Sequence, residues 1–217
     1  PELAALYQRR ARGYDTAVRL LRLTGIDLAR YRREMAAALA LEEGAAVVEL
    51  GCGTGLNFDL VCPRIGREGR LVAVDLTEAM LDVARQRVRR AGWQNVTLVR
   101  ADMADWPIPA GVDAIYSTFA LTLVAEYAAV VERAAGALRP GGRLAILDLK
   151  EPERWPQPLV RFAAWLNRPF GVTLDLAERH PWEALARHLP VARFDEYFSG
   201  AVYLCVGRKH GSRSAPK

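Results

Sequence analysis

Glu49-Leu50-Gly51-Cys52-Gly53-Thr54-Gly55 sets three glycines on alternate positions, two residues after an acid. Glycine reaches positive φ and lets a ligand touch the backbone. The run follows the apolar stretch Ala46 to Leu50, so it reads as a strand-to-helix turn. Ligands of open parallel sheets bind at that edge. A dinucleotide fingerprint has the spacing GxGxxG and lays pyrophosphate on a helix N-terminus. Here Leu56 stands where the third glycine would be. A P-loop needs Gly-Lys-Ser/Thr, and this run lacks it. Glu49 would repel a pyrophosphate but suits a cationic amino group. Asp75, 24 residues after Gly51, ends the next apolar run and can accept from both hydroxyls of a ribose. Asp102, in Arg100-Ala101-Asp102-Met103, ends the one after and can accept from an adenine amine. Each has a plainer reading: Asp75 caps a helix near Thr77, Asp102 opens a loop, Met80 fills a core. Together they fit a ligand carrying a cation, a ribose and an adenine.

These residues need a sheet to align them. Ala46–Leu50, Arg70–Asp75, Asn95–Arg100, Val112–Ser117 and Arg143–Asp148 read as strands. Helical stretches run to about Ile65, over Thr77–Ala91 and over Glu126–Leu138, and Pro140-Gly141-Gly142 reads as a turn. Such alternation predicts an α/β fold with a mostly parallel, doubly wound sheet. Residues 1–44 read as an N-terminal helical cap, from Leu3–Leu23 and Asp27–Leu41, and 45–150 as the ligand-binding core. The alternation stops after Lys150. Residues 151–189 read as a helical lid, with pieces at Leu159–Leu166 and Trp182–Leu189. Val191–Phe198 and Ala201–Arg208, joined at Ser199-Gly200, form a terminal hairpin within 190–209, and 210–217 reads as a disordered tail.

The glycine run, Val74-Asp75-Leu76-Thr77-Glu78-Ala79-Met80-Leu81, Ala101-Asp102-Met103 and Leu138-Arg139-Pro140-Gly141-Gly142 resemble class I S-adenosylmethionine-dependent methyltransferases. The chain looks most like the branch of ubiquinone/menaquinone methyltransferases and bacterial phospholipid N-methyltransferases, over residues 45 to 150. Tyr14-Asp15 resembles the Tyr-Asp that often precedes the first strand there. The resemblance implies a Rossmann-like seven-stranded sheet with an antiparallel C-terminal strand. It implies S-adenosyl-L-methionine as cofactor and S-adenosyl-L-homocysteine as product. Cys52, Thr54 and Gly55 complete the loop in which Gly51 and Gly53 would pack on the methionine part. Glu49 would help position the amino group, and the Ser117 carbonyl would meet it. Asp75 would bind the ribose, and Leu76 and Met80 would line the adenine pocket. Asp102 would accept from the adenine amine, the Met103 backbone would face the ring, and Tyr14 would close over the cofactor.

A sulfonium methyl is already activated, so the protein must align an acceptor, exclude water and manage one proton. No metal is needed. Asp148 and His180 are the candidate catalytic groups, and Thr118 and Phe119 would border the transfer point. His180 is equally a helix-start histidine, and Asp148 a strand-end acid. Trp155, Phe162, Trp165, Phe170 and Trp182 make the lid apolar and aromatic, which suits a small hydrophobic or lipid-like acceptor or simple packing. Quinone precursors and phospholipid headgroup amines are the acceptors that the resemblance suggests.

Half of the 217 residues are hydrophobic, without a run of about 18 apolar residues that would span a membrane. Pro1 to Arg12 has no secretory pattern. Cys52, Cys62 and Cys205 form no CxxC pair, so a reducing cytoplasm is expected. The net charge of +5 is mostly Arg. Arg9, Arg10, Arg12, Arg19, Arg22, Arg30, Arg32 and Arg33 offer a peripheral contact for an anionic membrane, or are an ordinary solvated face. No stacking motif for nucleic acid is present, so no nucleic-acid partner is expected. The competing readings are an NAD-dependent oxidoreductase, which Leu56 opposes, and a non-catalytic cofactor-binding module.

Overall fold

Short β-branched and leucine-rich runs build the centre of the molecule. A computed structural model describes residues 11, 13–18, 20, 25–152, 155–156, 158, 160 and 178–211. Strands β1 (Ala46–Leu50), β2 (Arg70–Asp75), β3 (Val96–Arg100), β4 (Val112–Thr118), β5 (Leu138–Leu149), β6 (Val191–Tyr197) and β7 (Val202–Arg208) form one sheet. Its order is β3-β2-β1-β4-β5-β7-β6. Neighbours among β1 to β5 pair in parallel, and β7 runs antiparallel to both β5 and β6. This is the doubly wound plan expected from the alternation. The order reverses between β1 and β4, which opens a crevice at their carboxyl ends.

The sheet is covered on both faces, so its central strands read as continuous apolar runs. On one face lie α1 (Leu28–Ala38), α2 (Phe58–Ile65) and α3 (Glu78–Ala91). Tyr31, Met35, Phe58, Val61, Ile65 and Leu81 pack there on Val47, Leu71, Ala73, Tyr116 and Leu147. On the other face α4 (Tyr127–Ala137) and α5 (Pro181–His188) bring Val130, Val131, Ala134 and Leu185 onto Val48, Leu50, Ile115, Leu144 and Ile146. Burying one such side chain contributes about 1.5–3 kcal/mol, and Ile115→Ala, at a fully buried site, costs about 2–5 kcal/mol. Asp27 starts α1 by accepting from the Arg30 amide at 2.9 Å. The edge strand β6 carries Arg193, Asp195 and Glu196, charges that discourage pairing with another chain.

Two expectations change. Pro140-Gly141-Gly142 is not a separate turn but lies inside β5. The Gly141 amide donates to the Lys209 carbonyl at 3.0 Å and the Lys209 amide to Gly142 at 2.9 Å, so the ladder continues through it. The hairpin is closed by a 3-10 turn, Phe198–Gly200. Residues 13–18 are helical, as expected, and the rest of Leu3–Leu23 lies largely outside the described residues. So do most of the lid, with Leu159, Phe162, Trp165 and Phe170, and residues 212–217 of the tail. No helix among the described residues is long and apolar enough to cross a membrane.

Candidate active site

The glycine run leaves β1 as a tight loop held from β2. The Gly51 and Cys52 amides both donate to the Val74 carbonyl at 2.9 Å. A Cβ on Gly51 would stand 2.4 Å from the Ala120 methyl, so only glycine lets the β4 loop close on it. Gly53 differs: its φ is +53°, and a Cβ there would meet nothing within 4 Å. That side of the loop faces open space. Asp75 accepts from the Gly53 amide through Oδ2 and from the Thr77 amide through Oδ1, each at 2.8 Å. Both readings of Asp75 therefore meet: it caps α3 and it holds the loop. The Thr77 side chain bonds it as well, and about one acceptor site of the carboxylate stays open. Leu76 is 49% exposed, an apolar side chain beside that space, whereas Met80 is buried in α3 and lines the core.

Asp102 is exposed, and its Oδ1 accepts from the Ala104 amide at 2.9 Å. The Met103 methyl would stand 3.0 Å from a Cβ on Gly51, so its side chain reaches back to the loop. Arg133 of α4 donates to the Met103 and Ala104 carbonyls at 3.0 and 2.6 Å, which fixes this turn. The Thr54 hydroxyl donates to Asp15 at 2.6 Å, and Arg87 pairs with Asp15 at 2.6 Å. The leading helix is thereby tied to the glycine loop. Cys52 is buried, burial pushes its thiol well up, and it is chemically quiet. Gly55 is fully enclosed against Phe58.

Beneath the loop lies a polar network that motif reading did not find. Glu49 is fully buried and accepts from Asn57 Nδ2 at 2.6 Å and the Tyr116 hydroxyl at 2.7 Å. Burial pushes its carboxyl up to about 7, against the pull of these bonds and of Arg32. Tyr116 stands beside Glu49 in register, so the same face carries both. Arg32, placed on a membrane surface by sequence, is only 7% exposed. It is a site residue, because α1 turns that position onto the sheet. Its Nη1 donates to Asn57 Oδ1 at 3.0 Å and to the Thr118 hydroxyl at 2.8 Å. Phe119, at φ +56°, lays its ring 5.3 Å from the guanidinium carbon. Half-buried Tyr14 stands within electrostatic reach of Arg32, Asp75 and Asp148. The pairing available to the sequence was alternation: a Glu facing the same way as Val47 needs a buried partner.

The neighbouring edge is built differently. Ser117 is buried and its hydroxyl donates to the Leu50 carbonyl at 2.8 Å. Asp148 faces the α4 and α5 layer, beside Tyr203 in register. Its oxygens accept from the Thr122 amide at 3.0 Å and the Leu149 amide at 2.8 Å, and burial raises its carboxyl to about 6. His180 precedes α5, half-exposed, with Nδ1 3.2 Å from Glu183 and its ring 4.7 Å from that of Trp182. Trp182 meets Tyr203 edge-on at 4.9 Å. The structure thus gathers Tyr14, Glu49, Gly51, Gly53, Asp75, Thr118 and Phe119 around one crevice. His180 stands at the start of α5.

A family model for a methyltransferase domain matches residues 47–142. Demethylmenaquinone methyltransferase of Listeria monocytogenes is 28% identical over 183 residues, covering 82% of this chain and 77% of that one. Its counterpart in Tropheryma whipplei is 33% identical over 162 residues, covering 74% and 64%. The chain is a class I S-adenosylmethionine-dependent methyltransferase. A crystal structure of such an enzyme from Aquifex aeolicus overlays the methyltransferase with a TM-score of 0.60 at 21% identity, covering 89% of this chain and 97% of that one. The resemblance to menaquinone methyltransferases and the Rossmann-like sheet implied by the motifs both hold. The residues fit the cofactor of this methyltransferase. Open space faces Gly53, Asp75 keeps free acceptor capacity, and Leu76 presents an uncovered apolar face.

Proposed function

We propose that the methyltransferase alkylates a small, hydrophobic aromatic acceptor of the quinone-precursor class. The observation that carries this is the match to demethylmenaquinone methyltransferases along most of the chain. The aromatic cluster beyond β5 supports it: Trp182 meets Tyr203 edge-on, Phe194 stacks on Tyr203, and Trp155 meets Phe198 edge-on at 5.6 Å. Flat rings are matched by flat rings. A lipid tail on the acceptor, and a peripheral membrane contact through exposed arginines such as Arg30 and Arg33, belong to the same reading.

S-adenosylmethionine supplies a methyl on a positive sulfur, ready for in-line displacement. The chain's residues hold and align. Asp75 takes a ribose hydroxyl on its open acceptor site. Leu76 covers one adenine face, and Asp102 and the Met103 amide meet the adenine edge, kept in place by Arg133. Gly51, Gly53 and the Ser117 carbonyl border the amino-acid end. Tyr14 closes from above and excludes water, with Asp15 as its anchor on Thr54 and Arg87. Glu49 does not reach the ligand; it orients Asn57 and, through it, Arg32 and Thr118. Phe119 borders the acceptor. Asp148 holds the 3-10 turn Leu121–Leu123 beside that mouth. A phenol-activated ring carbon loses its proton readily after transfer, so no strong base is demanded.

The test is incubation of the full chain with methyl-labelled cofactor and a set of hydroquinones, phenols and phosphatidylethanolamine vesicles, followed by mass spectrometry. Label on a hydroquinone ring carbon is expected. Label on the lipid amine alone would refute the acceptor class while keeping the enzyme class.

A further inference from the structure

Arg32 holds a buried charge whose hydrogen bonds are incomplete. The residue is 7% exposed, and its Nη1 donates to Asn57 and Thr118. Nε is buried without a hydrogen-bond partner. The nearest acid beneath it, Glu49, already accepts from Asn57 and Tyr116, and burial favours its neutral form. A guanidinium in this state is costly unless an anion completes its fork. The group is also held in place. Asn57 and Thr118 fix one nitrogen, and the Phe119 ring lies over the plane. A fixed guanidinium with an unsatisfied Nε suits a planar anion that can bridge Nε and its neighbour, which is a carboxylate.

Position says where that carboxylate comes from. Asn57 directly follows the glycine loop, and the loop's open side is at Gly53. Tyr14 is within electrostatic reach of both Arg32 and Asp75. The amino-acid end of the cofactor is the part that the loop borders, and it bears one carboxylate. We propose that Arg32 is the receptor for that carboxylate, an assignment that rests on the cofactor placement above. Asn57 and Thr118 are positioning residues that aim the fork, and Phe119 ties it to the acceptor side.

The experiment is calorimetric titration of the full chain with S-adenosylhomocysteine and with its decarboxylated analogue. Wild type is expected to bind the analogue about 30-fold more weakly, the worth of a charge-assisted pair. Arg32→Met is expected to lose about 30-fold for S-adenosylhomocysteine and less than about 2-fold for the analogue. Arg32→Lys, which keeps the charge in the buried site but not the fork, is expected to fall between and serves if Arg32→Met does not fold. Equal losses for both ligands would overturn the proposal, since a merely structural arginine would act on both. So would an unchanged S-adenosylhomocysteine affinity with a raised KM for an acidic acceptor, which would make the acceptor the source of the anion. If wild type bound neither compound, the cofactor reading itself would fail, a different result from either.

Discussion

The crevice between β1, β2 and β4 and the rim beyond β5 are made of similar residues, yet they are organised on different principles. At the crevice the carboxylates carry backbone and ligand duties together. Asp75 holds two amides and keeps acceptor capacity to spare. At the rim, Asp148 likewise takes one amide on each oxygen, but it is 2% exposed, buried by the layer above it, whereas Asp75 is only part-buried. The first arrangement presents polar groups outward from the sheet edge; the second folds them inward and leaves rings outside. A fixed cofactor calls for the first, and an apolar acceptor for the second.

Mutations test this contrast most strongly at Asp75. Asp75→Ala removes the bond to the ribose and is expected to weaken S-adenosylhomocysteine binding about 100-fold or more by calorimetry. The fold should persist with a lowered Tm, because the Gly53 and Thr77 amides lose a partner. Unchanged affinity would erase the distinction between the two acids. At the rim, Asp148→Asn puts an amide N–H2 against a backbone N–H. It should cost about 1–3 kcal/mol in urea unfolding and raise the acceptor KM, with cofactor affinity and kcat nearly kept. A collapse of kcat alone would instead make Asp148 a catalytic acid–base.

Glu49 sharpens the comparison through pH. Its folded pKa, about 7, lies above the ordinary 4.5, so folding favours the protonated form. That stability is full below the unfolded value and is lost as pH rises through about 7. Glu49→Gln stays neutral, so the variant's Tm minus that of wild type should climb between pH 5 and 8. A difference that stays flat would show that Arg32 keeps Glu49 ionised throughout. The smallest effect is expected at His180. It is half-exposed, and its ring meets Glu183 and Trp182 at the start of α5, so His180→Ala should change kcat by less than about 2-fold. A hundredfold fall would restore it as the base.

The fold was legible because each strand end carries a turn residue or an acid, and the strands alternate with amphipathic helices. The cradle was legible because loop glycines and strand-end acids are local features with fixed spacing. The network below it was not. Arg32, Asn57 and Tyr116 meet Glu49 or one another from α1, α2 and β4, and no short motif links positions so far apart. Arg32 was misplaced for a related reason: among many arginines, only packing says which one turns inward. Pro140-Gly141-Gly142 misled because a turn signal cannot show that Lys209 continues the ladder across it. Met80, which the resemblance sets at the adenine, is buried in α3.

The most direct measurement is a titration of the full chain with S-adenosylhomocysteine and, separately, with NADH, by calorimetry and nicotinamide fluorescence. The account predicts saturable one-site binding of S-adenosylhomocysteine and none of NADH. Tight NADH binding with no response to S-adenosylhomocysteine would contradict it.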